Sequence, residues 1–348
     1  MPVANSLAPA GRWLLDSGIS ESSGGFARFY DAETGKNRAV STEITGYAAS
    51  ALVYLFRITG EEVYLDRARK SARFLIDAWD RQLRTFPFEP SSHLSYFFDC
   101  GIVIRGLLAV WRETHDEQLL DISRAAAHGM IADFRSGNSA KEYHPVLALP
   151  EKEPLPRSDR WSRAPGCYQL KAAMAWWDVA GITGDGALRD AYFEMVDIAL
   201  ATHSSFLPMA SVSHAVVDRL HAYCYFLEGL LPVMDRPECA KVYIEGINCI
   251  SRLLKEITSF ERSDVYAQLL RARMYGAGDV PAAEAEALAA FQAVGDDPRV
   301  NGGFFFGRRD GKMSPHVNPV STVFALQALE MWRQHETGSK PPCLRMLI

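Results

Sequence analysis

Residues spaced i, i+4 and i+7 share one face of a helix, and the segment 214–231 places His214, Asp218 and His221 at that spacing. A carboxyl between two imidazoles is suited to taking up and returning protons near neutral pH. The same reading of other apolar segments finds Asp264, Gln268 and Arg271 in one, and Glu43, Tyr47 and Ser50 in another. Gln169 stands in a third, Asp99 just ahead of Gly101 in a fourth, and His316, Asn318 and Thr322 begin a last. Each polar group buried without a partner costs about 1–3 kcal/mol, so these stripes on otherwise enclosed helices predict a shared polar cavity. Asp218 is the first candidate for acid/base work and Asp99 the second, with Asp264 and Glu43 as further carboxyls. Burial among like charges is the means of keeping one of them protonated. The structural alternative is plain. Asp99, Glu43 and Asp264 sit where helix caps and first-turn acids sit, and the His214/Asp218/His221 stripe also suits an internal hydrogen-bond network.

The elements that must position these residues repeat. Around 43–80, an apolar helix (Tyr47, Ala48, Ala51, Leu52, Leu55) meets the turn Thr59-Gly60-Glu61, and a helix with one charged face (Glu62, Asp66, Arg69, Arg73) follows. A helix apolar nearly all round must be enclosed, whereas an amphipathic one faces water; each unit is therefore an inner helix backed by an outer one. The turn recurs at Thr114-His115-Asp116 and Thr183-Gly184-Asp185, with an Asp seven residues after each Thr, and these Thr and acidic residues are placed to cap the new helix. Further pairs are expected at 99–113 with 118–134, 166–179 with 187–203, 214–231 with 238–257, and 264–275 with 282–294. A sixth inner helix, 320–334, lacks a downstream partner, and the helix around Trp13 substitutes for it. The expectation is one all-α domain over residues 1–348, six hairpins closed into a ring, with short β-hairpins in the loops of one rim. Those rim loops, the outer-to-inner links, are the long ones, and long loops carry function. They hold aromatic residues suited to the apolar faces of sugar rings: Phe86, Phe88, Tyr96 and Phe97; Tyr143 and Trp161; Phe26, Phe29 and Tyr30; Phe304, Phe305 and Phe306. Packing of the loops is the other use for such rings. Arg157, Arg160 and Arg163, with Arg308 and Arg309, are placed to hold a carboxylate or sulfate or to form a solvated face.

Composition narrows the partners. A net charge of −5 gives no reason to expect nucleic acid or an anionic membrane. No segment approaches eighteen uninterrupted apolar residues and the first residues lack a basic export signature, so the reading is a cytoplasmic protein. Six scattered cysteines without a CxxC pair predict reduced thiols rather than a disulfide framework or zinc site. No phosphate loop or dinucleotide fingerprint is present, so no cofactor and no metal is expected. The oligomeric state is not specified.

Through ITGYAASALVYLFRITGEEVYLDRA and VSTVFALQALEMW the chain resembles the six-hairpin (α/α)6 toroid superfamily. That superfamily contains unsaturated glucuronyl hydrolases and other glycoside hydrolases, sugar 2-epimerases and, in related toroids, polysaccharide lyases. The shared residues are structural, and no family's catalytic motif is intact, so the resemblance assigns no catalytic residue. It implies an enzyme acting on a small carbohydrate. The leading expectation is a glycoside hydrolase acting on a small oligosaccharide, one that could contain uronate, by carboxyl general acid/base catalysis. Tyr47, Gln169, Gln268, Arg271, His316, Asn318, Trp161, Phe88 and Tyr96 are the expected substrate contacts. A uronate lyase or sugar epimerase would instead use His214 or His221 as base, Tyr47 or His316 to return the proton and Arg271 to neutralise an enolate. A non-catalytic glycan-binding ring is a further alternative. Terpene-type cyclisation is disfavoured because Asp296-Asp297 is not followed by the required acidic motif.

Overall fold

The computed structural model describes residues 6–137, 142–207, 214–276 and 280–348. Helices α1 to α12 dominate it: Leu7–Asp16, Thr42–Thr59, Glu62–Ala78, Phe97–Thr114, Glu117–Phe134, Gln169–Thr183, Gly186–Thr202, His214–Leu230, Pro237–Glu256, Ser263–Tyr275, Ala282–Ala289 and Pro319–Glu336. Strands are only two or three residues long. The chain divides into two compact units, one made of residues 23–25 and 40–206, the other of the remainder.

In the unit formed by 40–206, α2, α4 and α6 pack side by side, with α3, α5 and α7 against them. The contacts run in register from the N-terminal ends, so the three inner helices are parallel. A Cβ on Gly106 would lie 2.5 Å from the Gly46 carbonyl oxygen, and one on Gly101 would lie 2.4 Å from that of Ala172. Only glycine permits backbones to approach this closely. One buried ion pair spans the row lower down, where Arg105 Nε meets Asp178 Oδ2 at 3.0 Å.

The three repeated turns share one bonding pattern. The hydroxyls of Thr59, Thr114 and Thr183 donate to the carbonyls of Leu55, Val110 and Val179 and accept the amide two residues on. Threonine thus closes the preceding inner helix and does not cap the outer one. That task falls to Asp116, which accepts from Gln118 N, and to Asp185, which accepts from Ala187 N and Leu188 N. Gly60 and Gly184 take the left-handed conformation at φ 74° and 73°, and His115 adopts it at 54°.

In the other unit α8, α10 and α12 form the inner row, with α9 and α11 packed against it and α1 against α12. Trp13 of α1 is buried and donates its indole N–H to the Arg299 carbonyl. The strand pair Tyr30–Asp31 and Lys36–Asn37 is one of the short β-hairpins expected in the loops, and His316–Val317 extends it. A second sheet joins Phe260–Arg262 to Gly307–Arg309 and Lys312–Met313. Helix α11 ends at Ala289, short of the expected 294, because the chain turns there into a bridge between Gln292 and Phe304. Four of the six cysteines are buried and none of the six is in a disulfide. Among the described residues no helix is long and apolar enough to cross a membrane.

Candidate active site

Each unit carries one polar cluster at the N-terminal ends of its inner helices. In the unit 40–206 the central group is Asp99, in the first turn of α4 and 5% exposed. Its Oδ2 is buried and has no hydrogen-bond partner among the described residues. Burial, followed by the neighbouring Glu43 carboxyl in the first turn of α2, pushes the Asp99 pKa well above the ordinary carboxylate range. Like charges this close disfavour ionisation of both carboxyls.

The surrounding side chains of this unit separate into braces and open surfaces. Gln169 is buried and spent on backbone: its Oε1 accepts from Gly166 N and its Nε2 donates to the Tyr143 carbonyl, both at 3.1 Å. It holds the loop ahead of α6. The Thr42 hydroxyl donates to the Pro87 carbonyl at 2.8 Å and ties the Phe88 loop to the start of α2. Phe88 and Tyr96 remain half-buried with ring centroids 5.4 Å apart. Half-buried Trp161 meets buried Tyr168 edge-on at 5.0 Å. Tyr47 is buried within α2. Phe86, Phe97 and Tyr143, by contrast, are almost fully buried and pack the loops down.

In the other unit the cluster centres on a residue that sequence reasoning passed over. Arg262 closes its strand immediately before α10, and its guanidinium binds Asp264 through both Nε (3.0 Å) and Nη2 (2.6 Å) while Nη1 reaches Asp218 at 2.8 Å. It also lies over the Phe306 ring, 4.5 Å from the centroid. Asp218 and Asp264 are therefore brought together through a shared cation. The Asp218 side chain is 49% exposed whereas that of Asp264 is 3% exposed. Burial alone would raise the Asp264 carboxyl, yet Arg262 and His221 hold it below the ordinary range. His221 presents Nδ1 to Gln268 Oε1 at 2.8 Å and to Asp264 Oδ2 at 3.3 Å. Burial pushes its pKa down to about 4 against the opposing pull of Asp264. The side chain of His214 lies outside the described residues. The Arg-x-Asp spacing at 262–264 was the available signal for the missed arginine.

Arg271 lies deeper. It is fully buried, with Nη2 on Glu228 at 2.5 Å, Nη1 on Gln327 Oε1 at 3.1 Å and the guanidinium over Phe324 at 4.2 Å. Glu228, the other unrecognised partner, interrupts the apolar run HAYCYFLEGLL seven residues after His221. Asn318 caps α12, accepting from Val320 N and Ser321 N, and the half-buried His316 ring lies tilted against Phe29 with centroids 4.3 Å apart. Among the described residues no group of three His, Cys, Asp or Glu side chains is arranged to hold a metal ion.

No protein-family model matches the chain, and no curated protein matches its sequence significantly. Solved structures do resemble it across nearly the whole chain. A cellobiose 2-epimerase from Bacillus thermoamylovorans shares 12% identity over 94% of this chain and 98% of its own, with a TM-score of 0.72. An unsaturated glucuronyl hydrolase from a Bacillus species, responsible for degradation of glycosaminoglycan, shares 13% over 96% and 97%, with a TM-score of 0.66. A D-mannose isomerase shares 10% over 94% and 97%, with a TM-score of 0.68. The fold is thus an (α/α)6 toroid, shared with these structures.

Proposed function

We propose that the chain is a carbohydrate-active enzyme, and within that class a glycoside hydrolase in which Asp99 is the general acid. The observation that carries the reading is the buried Asp99 carboxyl, whose Oδ2 has no hydrogen-bond partner among the described residues and whose pKa is pushed well above the ordinary carboxylate range by burial and by Glu43. Hydrolysis of a glycosidic bond needs one carboxyl that still owns its proton at working pH, so that the leaving oxygen departs as an alcohol. It needs a second group to activate water or stabilise the oxocarbenium-like transition state, and Glu43 is the nearest candidate carboxyl. Half-buried Phe88, Tyr96 and Trp161 in the same unit supply apolar surface for a sugar face. The fold adds support by analogy, since the similar structures include a glucuronyl hydrolase, an epimerase and an isomerase.

The test is turnover of a panel of disaccharides and short oligosaccharides, with and without unsaturated uronate at the non-reducing end, followed by mass and reducing-end assay. Hydrolysis adds the mass of water, epimerisation leaves mass unchanged, and lyase chemistry creates a new near-ultraviolet chromophore. The expected result is hydrolysis that Asp99→Asn lowers by about 10²–10⁴-fold, the usual worth of a general acid. Full activity in Asp99→Asn removes the assignment.

A further inference from the structure

We propose that a cavity beside the C-terminal end of α3, walled by α5, is a second binding site, and that it takes a sugar carrying one carboxylate. None of its residues belongs to the Asp99 cluster, and the proposal stands whether or not the role given to Asp99 holds.

The chain leaves α3 at Trp79, whose half-buried ring lies against fully buried Phe86 with centroids 4.9 Å apart. Local bonds fix the loop that follows. The Asp80 carboxylate accepts from Gln82 N at 2.9 Å and Leu83 N at 2.8 Å, and Asp80 N donates to the Thr85 carbonyl at 3.1 Å. Within this loop Arg84 takes the left-handed backbone conformation at φ 52°, which is unfavourable for a residue with a Cβ. Helix α5 backs it closely, since a Cβ on Gly129 would lie 2.4 Å from the Arg84 carbonyl oxygen. Strain of this kind persists where the surroundings impose it, and it gathers at ligand sites.

Trp79 and Ile122 form the apolar wall of an open cavity of about 300 Å³, and Arg81, Arg84, Gln118 and Asp121 supply its polar groups. Elsewhere guanidiniums meet carboxylates, as in Arg57 with Glu113, Arg135 with Glu194 and Arg308 with Glu261. Arg81 and Arg84 form no ion pair among the described residues, although Asp121 lines the same cavity. Both are exposed, so their donors are open to a ligand.

The lining selects that ligand. Guanidinium donors match a carboxylate in a two-bond fork. Two guanidiniums against one carboxylate leave a single net positive charge, which suits a monoanion; a phosphate dianion would be repelled by Asp121. An ionised Asp121 only accepts, so it calls for hydroxyl donors, while Gln118 both donates and accepts. Trp79 and Ile122 take the apolar face of a ring. A sugar acid meets all of these demands, whereas the acidic side chains of a peptide lack both the hydroxyls and the ring face.

The experiment uses the intact chain with ¹⁵N-labelled tryptophan and follows the Trp79 indole N–H signal, assigned with Trp79→Phe. The chain is titrated separately with methyl glucuronide, methyl glucoside, inorganic phosphate and a peptide of aspartate and glutamate. The expected result is a saturable shift with methyl glucuronide, retained in Asp99→Asn, at a dissociation constant about tenfold or more below that of each other probe. Glycine adopts the backbone conformation of residue 84 without strain, so Arg84→Gly keeps the loop and removes only the guanidinium. It should weaken methyl glucuronide binding about tenfold to a hundredfold, the usual worth of a charge-assisted bond. Absence of a Trp79 shift with methyl glucuronide overturns the proposal, as does phosphate or peptide binding of equal strength. A shift that disappears in Asp99→Asn overturns it too, because the ligand would then occupy the other cluster. Failure of the chain to hydrolyse any glycoside bears on the Asp99 assignment and leaves the titration readable.

Discussion

Arg271→Met offers a quantitative test of how the polar seam between α8, α10 and α12 contributes to stability. Arg271 and Glu228 have side chains 0% and 1% exposed, so solvent screens almost nothing. Charge centres roughly 4 Å apart attract by about 4 kcal/mol at an effective dielectric constant near 20, and that attraction offsets the desolvation of both ions. Removing the guanidinium keeps the desolvation cost of Glu228 and loses the attraction, together with the bond to Gln327 and the contact over Phe324. Loss of one member of such a pair costs about 3–5 kcal/mol. Methionine fills much of the volume, which keeps the cavity contribution small. The assay is urea unfolding followed by far-ultraviolet circular dichroism, alongside Glu228→Leu and the double variant. The double variant should regain most of the loss, because the buried Glu228 carboxylate is then gone along with its partner. A loss below about 1 kcal/mol for Arg271→Met, or a double variant as unstable as the sum of its parents, would refute the reasoning.

Other consequences follow from the same geometry. A carboxyl whose folded pKa is raised costs stability only once pH exceeds its unfolded value of 3.8, and the cost grows until the raised pKa is passed. Asp99→Asn should therefore match wild type below pH 3.8 and exceed it increasingly at neutral pH, as read by denaturant midpoints across pH; a variant less stable at neutral pH contradicts the assignment. Glu43→Gln removes the like charge and should move the alkaline limb of the hydrolase pH profile to lower pH; an unmoved limb would show that the two carboxyls do not interact. Asp185 is held below its ordinary value, despite burial, by the Leu188 amide and by His128 at 2.9 Å. Its stabilisation should be present above pH 3.8 and fade below it. Asp185→Ala should cost about 1 kcal/mol at pH 7, the usual loss of a helix cap; a neutral effect in thermal unfolding would count against the cap.

Much of the helical framework was legible because burial writes itself into periodicity: 43–59 is apolar around its circumference and 62–78 is charged on one face. The turns were legible because Thr-Gly-Glu, Thr-His-Asp and Thr-Gly-Asp are local chemistry. The site was less so. Spacing along one helix put Asp218 and His221 together, but the partner that joins Asp218 to Asp264 sits on a strand, where helical periodicity has no bearing. Gln169 and Asn318 read as ligand contacts from sequence because an amide that binds sugar and one that braces backbone look alike; the partners at Gly166, Tyr143, Val320 and Ser321 appear only in three dimensions. The aromatic loops likewise divide between Phe86, fully enclosed, and Phe88, half open, two residues apart.

The glycine contacts between α2, α4 and α6 have a bearing on chemistry. Glu43 stands three residues ahead of Gly46, and Asp99 two ahead of Gly101, so each carboxyl is carried on a short rigid lever whose fulcrum is a backbone-to-backbone touch. Widening the α2–α4 touch by a single methyl group would swing the levers apart and uncouple the two carboxyls without altering a single ionisable residue. Selection for charge separation in this unit would then be recorded at positions with no side chain at all.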